Sequence, residues 1–233
     1  METLWDIYSL IEFIGNKNFS GNIITPDRFN ELIKVVNIDL FRKKHGLPEE
    51  YQPGRPIPRE HADITLKNTD DLRAFKVHIS GRAVSSGIMV LPPDYAHRET
   101  LVYNFSKTIN TVATILPRPI EILREAEFAS REGNYTKRPT IQNPIAVLRN
   151  DGFHIRPATI TVVDFAYYRW PVEPEFSYVL GDGFITYDAA NSVETEFPKD
   201  EYFTLAKMVL SLVGVNLREN ELVQYSEMKL KQG

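Results

Sequence analysis

Apolar residues recur at helical spacing in several stretches of this chain and at strand spacing across much of the remainder. Leu4, Ile7, Tyr8, Ile11 and Ile14 fall on one helical face, and Gly15-Asn16-Lys17-Asn18 is expected to end that helix. Thr25 followed by Pro26 predicts a second helix. Thr25 supplies a capping hydroxyl, and Pro26 takes the first position, where its missing N–H costs nothing. Phe29, Leu32, Ile33, Val36, Leu40 and Phe41 form the apolar stripe, and Arg42-Lys43-Lys44-His45-Gly46 reads as a helix end. A later helix is expected to open at Pro198 and to carry Tyr202, Leu205, Ala206, Val209, Leu210, Leu212 and Val213 inward, with Gly214 closing it. Beyond it, Leu217, Leu222 and Tyr225 give a further helix a thin apolar stripe among Arg218, Glu219, Glu221 and Lys229. A thin stripe with many charges suits a subunit contact.

Strand patterns fill the middle of the chain. Lys76-Val77-His78-Ile79, Gly87-Ile88-Met89-Val90 and the β-branched run 101–115 predict an extended β element over about 75–115. Pro119 is expected to start a helix carrying Ile122, Leu123, Ala126 and Phe128, closing near Gly133. Ile145-Ala146-Val147-Leu148-Arg149, the turn Asn150-Asp151-Gly152, and Phe153-His154-Ile155-Arg156 predict a hairpin. A long alternating strand is expected over 159–169, and shorter strands near Tyr178 and Phe184 turn at Gly181-Asp182-Gly183.

Residues 47–58 contain four prolines, which exclude both helix and regular strand. The segment reads as an extended arm, with Pro53, Arg55 and Pro56 as candidate contacts to a neighbouring subunit. The architecture read from the sequence is α+β, a single domain over 1–233. Helices over 4–46, 119–133 and 198–231 pack with a mainly antiparallel β region over 144–187. The arm at 47–58 and the β element at about 75–115 project from this body, and the β element is expected to reach a different protein layer.

Composition narrows the chemistry. The 233 residues are 42% hydrophobic and 25% charged, with a net charge of −4, which is ordinary globular material able to bury a core. Lys and Arg are scattered along the sequence, so no nucleic-acid footprint stands out. No cysteine is present, which removes disulfides, thiolate metal sites and cysteine nucleophiles. No apolar run approaches the ~20 residues of a membrane helix, and the acidic start lacks a signal-peptide pattern. His45, His61, His78, His97 and His154 all lie more than four residues apart, so no local pair presents two imidazoles to one metal. Asp70-Asp71 and Glu49-Glu50 are adjacent carboxylates that point apart. The expectation is no catalytic residue, no metal and no cofactor. The run Tyr167-Tyr168-Arg169-Trp170 offers either a stacking platform or a strand with one buried face and one interface face, and the second reading is preferred.

Two parts of the sequence carry a family resemblance. One is Arg138-Pro139-Thr140-Ile141-Gln142-Asn143-Pro144-Ile145 with the hairpin that follows, continued by Tyr167-Tyr168-Arg169-Trp170-Pro171. The other is Phe197-Pro198 together with Val213-Gly214-Val215-Asn216-Leu217-Arg218-Glu219-Asn220-Glu221-Leu222-Val223-Gln224-Tyr225. Together they resemble structural proteins of crAss-like and related tailed phages of Bacteroidota, and among those the ring or head–tail adaptor proteins of the virion neck. The resemblance is strongest from about residue 117 onward. It implies a virion protein, assembled in the bacterial host cytoplasm, that closes with copies of itself into a dodecameric ring. Such a ring contacts the portal or other neck and tail rings and passes genomic DNA through a channel without reading its sequence. A net charge near zero suits such a channel, because dense Lys and Arg would bind phosphate. Two rival readings belong to other classes. One is a carbohydrate-binding β-module using Tyr167, Tyr168 and Trp170, which requires an exposed coplanar aromatic shelf. The other is a hydrolase, which requires a deep pocket lined by converging acidic or histidine groups.

Overall fold

The computed structural model describes residues 3–18, 24–46, 70–109, 112–181 and 184–213. The fold is α+β, with helices and mostly antiparallel sheets. The chain divides into two compact units, Met1–Ala74 with Pro171–Gly233, and Phe75–Trp170, a finer division than the single domain read from the sequence.

The first unit is built on helices α1 (Leu4–Asn18), α2 (Pro26–His45) and α4 (Tyr202–Val213). Leu4, Ile7, Tyr8 and Ile11 are buried, as their spacing predicts. Gly15 does not stop α1, which runs on to Asn18. One glycine costs a helix only about 1 kcal/mol. Thr25 caps α2, its hydroxyl accepting the Arg28 N–H at 3.4 Å, and Phe29, Ile33, Val36, Leu40 and Phe41 face inward. Before α4, Pro198 is extended and leads a 3-10 turn, Lys199–Glu201. Tyr202, Leu205, Ala206 and Val209 are buried, but Leu212 is 52% exposed. The expected stripe therefore ends one turn early.

Side-chain bonds tie the connecting strand segments to these helices. Asn37, itself buried, donates to the Val172 carbonyl at 3.2 Å and accepts from the Thr195 hydroxyl at 2.9 Å. Asn30 imitates a strand partner by bonding both the carbonyl and the N–H of Phe176. Lys44 bridges Asp71 at 2.6 Å and Glu201 at 2.7 Å. Burial works to lower its pKa, but the two carboxylates outweigh that and hold it above its ordinary value. The hairpin of β9 (Tyr178–Gly181) and β10 (Phe184–Tyr187) pairs Gly181 with Phe184, and Asp182 and Gly183 of the expected turn lie outside the described residues. Its base joins an aromatic layer in which Phe176 stacks on Tyr187 at 5.3 Å and Tyr8 meets Phe29 edge-on at 5.4 Å.

Two phenols in this unit give it an alkaline limit. Burial, reinforced by the charge of Glu12, pushes Tyr8 up to about 12, and burial plus the hydrogen bond to Glu194 pushes Tyr187 up to about 12. Both values lie above the unfolded value of 10.0. The stability they contribute is therefore complete below pH 10 and lost as pH rises toward 12. Circular dichroism should show unfolding in that window, with the last tyrosinate absorbance appearing together with it. Full tyrosine titration below pH 11 in a folded protein would contradict this.

The second unit packs two sheets around one core. The first sheet has the order β1 (Lys76–Ala83), β8 (Val162–Arg169), β3 (Tyr95–Ile109), β4 (Val112–Pro119). The second has the order β2 (Ile88–Met89), β7 (Gly152–Arg156), β6 (Ile145–Arg149), β5 (Glu121–Leu123). Met89, Leu101, Ala146, Phe153, Ile155, Val163, Phe165 and Tyr167 meet in that core. Helix α3 (Glu125–Gly133) covers the other side of β6, where Phe128 packs on Ile145 and Val147. With both faces covered, Ile145-Ala146-Val147 reads as a continuous apolar run.

Three expectations are corrected in this unit. The segment 75–115 does not project as a whole, because β1 and the first half of β3 pair along β8 and supply Val84 and Leu101 to the core. Pro119 does not start a helix. It ends β4, an edge strand that tolerates proline, and residues 121–123 form β5, parallel to β6. The strand expected over 159–169 begins at Val162, and positions 165–168 of β8, which is paired along both edges, are all buried instead of alternating.

Candidate functional site

Of the residues proposed from the sequence as contacts, Tyr167, Tyr168 and Trp170 are described, whereas Pro53, Arg55, Pro56, Leu217, Leu222 and Tyr225 lie outside the described residues. Tyr167 and Tyr168 are both buried. The Tyr167 ring stacks on Phe165 at 5.0 Å, and its hydroxyl donates to Asp94 at 3.0 Å. Burial, then that bond to a carboxylate, raises the Tyr167 pKa. Trp170 is 37% exposed, its ring 6.0 Å from His97 and tilted by 52°. One partly exposed indole beside two buried phenols does not make the coplanar shelf that carbohydrate binding requires.

Charged groups gather where α3 crosses the second sheet. Arg149 grips Glu125 with two nitrogens, Arg131 grips Glu121 at 2.6 and 3.0 Å, and Arg156 reaches Glu132 at 2.8 Å. The Arg149 guanidinium holds Glu125 below the usual carboxylate range and also lies 5.9 Å from the Phe128 ring. His154 sits between Asp151, at 2.7 and 2.9 Å from Nε2, and Arg149, at 3.2 Å from Nδ1. Arginine can only donate, so Nδ1 accepts and Nε2–H donates to Asp151. The three arginine–glutamate pairs join α3 to the sheet, whereas His154 and Asp151 bond within the β6–β7 hairpin. Between β5 and α3 lies an open depression of about 460 Å³ lined by Glu121, Leu123, Ala126, Ser130, Arg131 and Lys137. Its Arg131 and Glu121 are bound to each other. Among the described residues no three His, Asp or Glu side chains converge as a metal-holding group.

The exposed apolar residues point elsewhere. Among the described residues, β3 from Tyr103 to Ile109 pairs with β4 and no other strand, because its last pair with β8 is Val102 with Asp164. This second half of β3 and all of β4 therefore form a two-stranded ribbon beyond the sheet. Ile115 on the ribbon is 67% exposed. Pro117 and Pro119 on β4 lack N–H donors and so blunt its edge against further strand pairing. In the first unit, β9–β10 is a sheet of two strands among the described residues, with Val179 exposed and Leu180 71% exposed on opposite faces. A lone two-stranded sheet with apolar groups on both faces is marginal in water. Neither Ile115 nor Leu180 stands out in the sequence. Their apolar character fits a strand equally well whether the strand is covered or bare, so alternation carries no signal for them.

No family model matches the chain, and no curated protein matches it. No helix among the described residues is long and apolar enough to cross a membrane.

Proposed function

We propose that this protein is a structural subunit that assembles with copies of itself into a ring in the neck of a tailed-phage virion, linking the portal or capsid to the tail around a DNA channel. The observation that carries the assembly part is a pair of two-stranded β elements, the β3–β4 ribbon and the β9–β10 hairpin, which among the described residues have unpaired outer edges and carry the exposed Ile115, Val179 and Leu180. A two-stranded sheet is marginal in water until it packs against another surface. The virion part rests on the sequence resemblance over residues 138–171 and 197–225. In this role the chain needs no reactive group. It needs two different lateral surfaces, because one heterologous contact repeated around an axis closes into a ring. DNA passes as a polyanion that the channel does not grip.

Negative-stain microscopy and mass photometry of the purified full-length chain, alone and with a portal protein, test this reading. Closed rings of one size are expected. A monomer at every concentration, with and without portal, refutes it.

A further inference from the structure

By sequence the two units carry opposite net charge. Phe75–Trp170 holds 12 Lys and Arg against eight Asp and Glu, a net of +4, while the remainder holds 15 against 23, a net of −8. Much of the difference falls in two stretches. Residues 102–120, which make up the ribbon, contain Lys107 and Arg118 and no Asp or Glu. Residues 172–201, which contain the β9–β10 hairpin, hold eight Asp and Glu against one Lys. Some of those acids serve their own unit: Glu194 accepts the Leu4 N–H, Glu196 the Val172 N–H, and Glu201 holds Lys44. Glu173, which lies 3.6 Å from Lys34, and Glu175 and Asp200 are exposed on the surface.

We propose that the ribbon of one copy docks on the β9–β10 hairpin of the next and on the acidic segment that precedes it, with Ile115 against Leu180 and Arg118 near Glu173 and Glu175. The proposal deepens the ring reading and rests on it in taking a second copy as the occupant. Charge and apolar character are complementary between two elements of a single chain, so that chain supplies both halves of the contact. Ribbon against ribbon, or hairpin against hairpin, would place like charges together and disfavour a symmetric dimer. Pro117 and Pro119 remove donors from the outer edge of β4, so the contact is made by side chains and not by a continued ladder. Such a contact is head-to-tail, and each copy keeps one free ribbon and one free hairpin until the ring closes.

The test uses full-length protein with two variants, Ile115→Asp/Arg118→Glu on the ribbon and Glu175→Lys/Leu180→Asp on the hairpin. Arg118→Glu alone is a milder ribbon variant should the double change disturb folding. Association is followed by mass photometry and sedimentation over a concentration series. Each variant is expected to melt like the wild type and to associate at least about tenfold more weakly, the loss of one central contact. Added salt should weaken the wild type in the same direction. Mixing the two variants should restore dimers but no larger species, because each retains one intact face. Combining Arg118→Glu with Glu175→Lys in one chain should recover association. Wild-type rings with no effect of either variant would overturn this contact and leave the ring reading standing. A wild type that never associates would overturn both. A mixture of the two variants that stays monomeric would also overturn the contact.

Discussion

Leu205→Asp is expected to unfold the helical unit, with loss of its cooperative melting transition, whereas Leu212→Asp should leave melting within a few degrees of the wild type. Both residues lie on the same apolar stripe of the sequence, seven positions apart. Leu205 is 0% exposed on the face of α4 that meets α1 and α2. Removing its side chain forfeits about 1.5–3 kcal/mol of burial, and an unpaired carboxylate in its place adds several kcal/mol more. A domain holds only about 5–15 kcal/mol in total. Leu212 already meets water over half its surface, and exposed substitutions usually change stability by about 0.5 kcal/mol or less. Thermal denaturation followed by circular dichroism separates the two. A folded Leu205→Asp protein with a wild-type midpoint would show that α4 does not hold this unit together.

Gly152→Ala should destabilise the second unit far more than its size suggests. Gly152 has φ 138, a conformation that L side chains rarely adopt. A Cβ there would lie 2.1 Å from the Met89 carbonyl oxygen and 3.2 Å from the Val90 Cα. The obstacle is backbone, so no rotamer relieves it. Strain of about 1–3 kcal/mol combines with overpacking of about 1–3 kcal/mol, and β2 must draw back from β7, where Met89 pairs with Phe153. For a unit of this size each kcal/mol lowers the midpoint by about 4–8 °C, so a drop of more than about 10 °C is expected. Gly133→Ala is the control, since a Cβ at the end of α3 meets nothing within 4 Å. Equal midpoints for the two alanine variants would count against this account of the β2–β7 contact.

The aromatic run shows where the sequence stopped being informative. Tyr167-Tyr168-Arg169-Trp170 reads equally well as a platform or as core, because a tyrosine carries both a large apolar ring and a polar end. Burial of both tyrosines settles it, and that burial depends on β1 and β3 flanking β8 from positions 62 or more residues away. Likewise Glu121-Ile122-Leu123 has good helix-forming residues. It is a strand because Ile145-Ala146-Val147 offers a parallel partner, and propensity differences of a few tenths of a kcal/mol yield to such pairing.

What the sequence determined by itself was local: the Thr25–Pro26 helix start, the apolar faces of α1 and α2, the Asn150–Asp151 hairpin, and an α+β content. These follow from capping, proline geometry, turn chemistry and periodicity, all of which act within a few residues. The tertiary structure alone decided that the chain forms two units, that β1 and β3 belong to a core, and that Ile115, Val179 and Leu180 stay bare. Whether an apolar side chain is covered depends on which distant segment arrives beside it. Strand pairing across such separations is fixed by the packing of the whole unit, which local spacing does not encode.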